Sequence, residues 1–484
     1  MKRSGLVRGG LVPGALAGVA GGLVFGAAMA DYGALPTIAS IVRAQSVVAG
    51  FAVHMLIAAV IGAGFGLVVY PLRSGVGETL LWGIAYGGLW WFLGPLTLLP
   101  LLLGEPATWT VDAARAAFPS LLGHILYGAT AALALSALSA RSSDERPALR
   151  PSAGPLLRGA GAGLIAALLF AVALGAPSRL AALMPAAAVG SLWAWLATGL
   201  AFGIGYGLLY PRLTGSPGAA LTRGMTYGFA WWVVVALTLV PLVDGAGLAW
   251  SLDAARGEFA AFPGCLLLGA AVGLLYRWLD GLRRLLFVQD VRAIEHESAG
   301  ARGLRALGRG ALGGLLGGLV FTVVMVQIGF LPTVAQLVGS SSVGVGLAIH
   351  LLIADLIGAS YGLLFRRQSF DVSSALGWGV AYGLLWWLLG PLTLLPILLG
   401  APPQWTLAAA AATFPSLVGH LAYGAALGVA FYRLEARYSP WWLTRNEIEA
   451  ERAERRREQV FGSAPALWAV IAMFAVTVPL LLGQ

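Results

Sequence analysis

One cysteine, Cys265, in 484 residues leaves no internal disulfide and no thiolate cluster to consider. Charge is almost as scarce: charged residues make up 11% of the chain, too little to cover a water-soluble body of this length. Segments with the ten-residue alternation of outer-membrane barrels are missing, so helices are the remaining way to cross a bilayer. The sequence holds no phosphate loop, no zinc-spaced Cys/His set and no dinucleotide fingerprint, which argues against ATP-driven transport by this chain alone. What it has instead is a composition 59% hydrophobic, with 67 glycines. The apolar residues fall in runs of roughly 18 or more, about thirteen of them, each long enough to span a membrane. Small residues among them let helix backbones approach closely in lipid, as at Gly10 and Gly14.

The formal charge of +9 could point to nucleic acid, but its distribution does not. Of 30 basic residues, only Arg43, Arg115, Arg179 and Arg256 fall in loops that follow odd-numbered runs. The bias is a topology signal: the basic side is cytoplasmic, with the N-terminus inside and the C-terminus outside after an odd number of crossings of the cytoplasmic (inner) membrane. Lipid is the expected partner, together with other membrane subunits, and nucleic acid is not.

The strongest pattern is internal. LWGIAYGGLWWFLGPLTLLPLLLG, starting at Leu81, returns as GWGVAYGLLWWLLGPLTLLPILLG from Gly377. At the same offset, FPSLLGHILYGA from Phe118 matches FPSLVGHLAYGA from Phe414, and HMLIAAVIGAGFG from His54 matches HLLIADLIGASYG from His350. A middle copy aligns Tyr86, Trp90, Trp91, Thr97, Pro100 and Trp109 with Tyr227, Trp231, Trp232, Thr238, Pro241 and Trp250. Each copy contains four spans, with an outer amphipathic segment beginning near Pro36, Pro177 or Pro332. Four is even, so the copies share one orientation, a parallel repeat about an axis along the membrane normal. The expected fold class is all-α: three parallel four-helix repeats plus one C-terminal transmembrane helix. The expected boundaries are 1–140, a degenerate 141–280, a cytoplasmic linker 281–308 that includes His296, then 309–440, a charged cytoplasmic segment 441–463 and a last span 464–484. Trp109, Trp405, Tyr70 and Trp441 fit interfacial belts at span ends.

A His early in the second span and a Ser-Leu-x-Gly-His-x-x-Tyr-Gly element opening the fourth occur together in copies one and three. They are Ser120, His124 and Tyr127 with His54, and Ser416, His420 and Tyr423 with His350. This combination resembles that of small four-span membrane proteins of bacteria and archaea, a family without an assigned activity. The resemblance implies the four-span architecture and no mechanism.

His54 and His124 each lie about six residues inside spans that run the same way, which puts both near 9 Å, roughly, below the outer surface. Paired imidazoles at one depth in a four-helix bundle suit haem b or a transition metal, with His54, His124, His350 and His420 as ligands for electron transfer. A plain interhelical hydrogen bond is the simpler alternative. A proton or small-solute pathway is a third, because ionisable groups inside membranes often serve one. In the middle copy the counterparts are Trp195 and Leu268, and Gly94-Pro95 becomes Val235-Ala236. Histidines and Gly-Pro vanish together, which suggests one local site. Gly94 and Pro95, like Gly390 and Pro391, are expected to break the third span.

Asp355, deep in a span where copy one has Ala59, is either a proton or cation site or a protonated carboxyl bonded to backbone. Ser120 and Ser416 precede their histidines by one helical turn, in reach of a hydrolytic dyad, yet no Gly-x-Ser-x-Gly elbow accompanies them. A capping or back-bonding role suits them better. The chain therefore reads as an integral membrane subunit without catalysis of its own. Its alternatives are a bis-histidine electron carrier, a transporter and a ligand-free scaffold.

Overall fold

A computed structural model describes residues 10–72, 75–142, 153–174, 192–211, 216–287, 299–366, 368–369, 371–437, 446, 449–450, 453, 473 and 476–482. Pro177, Arg179, His296, Trp441 and most of the segments expected at 441–463 and 464–484 lie outside the described residues.

Among the described residues there is no strand. Twelve helices are long and apolar enough to cross a membrane: α1 (Val12–Asp31), α2 (Val47–Val69), α3 (Val76–Leu102), α4 (Phe118–Ser139), α5 (Ala153–Ala173), α6 (Leu192–Leu209), α7 (Pro217–Val243), α8 (Leu252–Leu282), α9 (Gly300–Gln327), α10 (Val343–Phe365), α11 (Val372–Leu398) and α12 (Phe414–Ala436). The chain is a multi-pass membrane protein.

The helices pack in three sets of four. In α1–α4, helix α1 packs on both α2 and α4, and α3 packs on α4; α5–α8 and α9–α12 are built alike. Glycine sets these distances. A Cβ on Gly62 of α2 would lie 2.4 Å from the Gly18 Cα of α1, and one on Gly358 of α10 would lie 2.4 Å from the Gly314 Cα of α9. Helices this close gain van der Waals contact, the main source of association where lipid removes the hydrophobic drive.

Two irregularities position the candidate site. After α1 and α9 the chain turns at Gly33 and Gly329, both at positive φ, into the short helices Leu35–Ala39 and Leu331–Ala335. These lie over the first turns of α2 and α10: a Cβ on Gly50 or Gly346 would come within 2.0 Å of the Leu35 or Leu331 carbonyl oxygen. The second irregularity lies within α3, α7 and α11. Gly94–Leu98, Trp232–Leu239 and Gly390–Leu394 are π-helical. In each, a threonine hydroxyl donates to the carbonyl five residues earlier: Thr97 to Phe92 (2.8 Å), Thr238 to Val233 (2.9 Å) and Thr393 to Leu388 (2.7 Å). Each threonine oxygen in turn accepts an indole N–H, from Trp109, Trp250 or Trp405, at 3.0 Å. Thr110, Ser251 and Thr406 then cap the short helices that follow.

This geometry corrects two expectations. The π turn does not disappear with Gly-Pro: α7 carries the longest of the three with Val235-Ala236 in that place, because the Thr–Trp pair holds it. Trp405 is not an interfacial side chain, since it is buried inside the protein with its N–H on Thr393, whereas Trp109 is exposed.

Candidate functional site

The two histidines of each outer set come from different helices, and both meet one phenylalanine of a third. His54 on α2 and His124 on α4 have ring centroids 5.4 and 4.8 Å from that of Phe25 on α1. His350 and His420 stand 5.2 and 4.6 Å from Phe321. The phenyl ring fits because Gly123 and Gly419 present no side chain: a Cβ there would fall 2.0 or 2.1 Å from the ring. Tyr127 and Tyr423 close the frame, each donating from α4 or α12 to the Ala58 or Ala354 carbonyl at 2.7 Å. Both imidazoles of a set thus contact one aromatic ring that the sequence did not single out.

Hydrogen bonding assigns each neutral ring a tautomer, since a carbonyl can only accept. His54 Nε2 is 3.0 Å from the Gly22 carbonyl of α1, and His350 Nε2 is 3.1 Å from that of Gly318, so Nε2 carries the proton and Nδ1 the lone pair. Close helix contact makes this reach possible, as a Cβ on Gly22 or Gly318 would sit 2.6 or 2.7 Å from the Ala58 or Ala354 Cβ. In His124 and His420 the assignment is reversed. Nδ1 lies 2.7 or 2.8 Å from the carbonyl of Ser120 or Ser416, leaving the Nε2 lone pair free.

Nε2 of those rings faces the π turn: a Cβ on Gly94 or Gly390 would be 3.7 Å from it. A Cβ at that distance would make ordinary van der Waals contact with the ring. The serine hydroxyls stand 3.2 and 3.3 Å from Nδ1, but Nδ1 already gives its proton to the backbone. A nitrogen in that state cannot accept a hydroxyl proton, so the geometry sets up no Ser-His nucleophile.

The middle set shows what replaces the arrangement. A Cβ on Gly228 would meet the Cys265 carbonyl at 2.0 Å, just as one on Gly87 meets that of His124 at 2.1 Å and one on Gly383 that of His420 at 2.2 Å. Cys265, not Leu268, is therefore the counterpart of His124. Matching the Phe-Pro pairs in sequence displaces the alignment by about one helical turn. Trp195 takes the place of His54 and donates from its indole to the Ala167 carbonyl of α5 at 2.7 Å. Phe170, three residues after Ala167 as Phe25 is three after Gly22, takes the phenylalanine's place, with its ring centroid 6.5 Å from that of Trp195.

Asp355 is half-buried on α10. Its carboxyl is within electrostatic reach of the Tyr423 hydroxyl, which bonds the carbonyl of the preceding Ala354. No group of three or more His, Cys, Asp or Glu side chains that could hold a metal ion occurs among the described residues. Trp91 and Trp387 are buried, with their N–H groups donating to the Ala117 and Thr413 carbonyls, a packing role.

Fold and site together define an all-helical, multi-pass membrane protein with paired histidines inside two of its helix sets. The chain matches no protein-family model, no curated protein and no solved structure.

Proposed function

We propose that this integral membrane protein is a tripled scaffold without catalytic activity of its own. In this reading three four-helix units share one orientation in the cytoplasmic membrane, a thirteenth span follows, and the whole serves as a subunit among other membrane proteins. Each unit corresponds to one of the small four-span proteins that the His and Ser-Leu-x-Gly-His-x-x-Tyr-Gly elements resemble. His54 and His350 act as clasps between the first and second helices of their sets.

The observation that carries this reading is the middle set. There the imidazole is gone, yet Trp195 still donates across to α5, through Ala167 in place of the Gly22 contact. A position that keeps its interhelical bond after losing its ligand chemistry is one whose function is the bond. The test is the purified protein beside a His54→Ala, His350→Ala variant. Wild type is expected to be colourless and free of stoichiometric metal, and the variant is expected to remain folded with a lowered melting temperature.

A second reading is favoured by the lone pairs left on each ring, His54 Nδ1 and His124 Nε2, with their counterparts on His350 and His420. These suit ligation of haem b or a transition metal for electron transfer. The phenyl ring in contact with both imidazoles favours a small ion over a porphyrin. A Soret band, or bound metal, that disappears in the double variant would establish this reading and end the first.

A further inference from the structure

Successive helix sets join front to rear. The rear of the first set is the start of α3 with α4; it receives the front of the second, the end of α6 with α7. Tyr210 donates to the Gly77 carbonyl at 3.4 Å, a Cβ on Gly77 would lie 2.4 Å from the tyrosine ring, and Arg223 pairs with Glu78 at 3.6 Å. The second joint repeats the first. Phe365 lies over Gly218, where a Cβ would be 2.5 Å from its ring, α7 packs on α10, and α8 packs on α11.

Among the described residues, two joints cover two rears and two fronts and leave one of each. At the front, Trp109 is 65% exposed, while its counterparts Trp250 and Trp405 are 3% and 6% exposed. Phe92 is exposed where Val233 and Leu388 are wholly buried. At the rear the order is reversed: Leu376 is 45% exposed against 9% for Leu80 and 7% for Leu221. Val418 is likewise exposed where Leu122 is buried. The open front holds a cavity of about 800 Å³ walled by Phe65, Trp82, Tyr86, Trp91 and Trp109, with Val478 and Pro479 at its edge.

Apolar exposure in a membrane selects nothing by itself, because lipid covers it without penalty. The repeated joint does select. Both occupied joints seat an aromatic ring on a glycine, Tyr210 on Gly77 and Phe365 on Gly218. The corresponding positions at the free ends are Val69, which lines the cavity of the front although only 4% exposed, and Ser373, exposed at the rear.

We propose that a second copy of this chain occupies the open front of the first set with the open rear of its own third set, continuing the joint already made twice within the chain. The contact is heterologous, so copies add head to tail until a ring closes. It involves none of the histidines and stands whether or not they bind a ligand.

Single-cysteine probes test it. Val68, 58% exposed, is the counterpart of Leu209, whose carbonyl lies 2.7 Å from a Gly77 Cβ. Full-length Val68→Cys and Ser373→Cys chains carrying different tags are co-expressed and treated in membranes with a short bis-maleimide. The native Cys265 is buried and contributes little. The expected result is a covalent dimer bearing both tags, absent when either variant is expressed alone. Absence of the mixed dimer overturns the proposal. So does a Val68→Cys, Ser373→Cys double variant that links within one chain, since the first and third sets would then close on each other.

Discussion

His124 turns the unprotonated edge of its ring toward Gly94, 3.7 Å from where a Cβ would stand, and His420 has the same relation to Gly390. In the middle set this pair of positions is Cys265 and Val235. The exchange conserves volume: a large ring against no side chain becomes a small thiol against a branched one.

Gly94→Val alone should crowd the imidazole and destabilise the protein by about 1–3 kcal/mol. Adding His124→Cys should recover much of that loss, as the middle set does natively. Thermal melts of both single variants and the double variant in detergent would measure the coupling. Strict additivity of the two changes would refute the exchange.

Removing the clasp should have a smaller effect. His54→Ala deletes one bond to Gly22, and such bonds between membrane helices average about 0.6 kcal/mol, with a maximum near 1.7. His54→Trp, copying Trp195, should be tolerated better than the alanine variant if the bond is what matters. Equal melting points for the two would contradict the clasp.

Arg43 is the one non-glycine residue at positive φ among the described residues, at +56°, and Gly339 occupies the matching place at +71°. An L side chain there is strained, whereas glycine is not. Arg43→Gly should stabilise the first set by about 1 kcal/mol, and Gly339→Ala should cost the third set a similar amount. Both show as shifts in melting temperature, and a destabilised Arg43→Gly would mean that the guanidinium has a role of its own.

Arg223 and Glu78 form a buried ion pair across the first joint, with side chains 2% and 9% exposed. Arg223→Ala removes the guanidinium from a buried carboxylate and should cost about 3–5 kcal/mol. Arg223→Trp with Glu78→Ala copies Trp378 and Ala219, the residues at these two positions of the second joint, and should restore most of it. Loss of folding in both variants alike would separate the joint from the charge pair.

Glu105→Cys, in the loop before Trp109, should react with a membrane-impermeant maleimide on intact cells. Reaction only after permeabilisation would invert the proposed orientation.

The helical spans could be read from sequence because they rest on long apolar runs. Phe25 and Phe321 could not. A phenylalanine in an apolar span looks the same whether it faces lipid or bridges two imidazoles, and only Gly123 and Gly419, which vacate its seat, hint at the difference. Cys265 was hidden by Phe262-Pro263, which mimics Phe118-Pro119 a few residues out of step. The π turn of α7 was missed because its support lies outside the dipeptide, in Thr238 and in Trp250 twelve residues further on.

That turn also sets the direction of everything beyond it. A π turn lodges one surplus residue, and each residue rotates a helix by about 100°. In all three sets the surplus swings the outer end of the span so that its tryptophan returns to the threonine it left behind. Deleting a single residue between 94 and 98 would straighten the rod and aim the loop that follows it at a different neighbour.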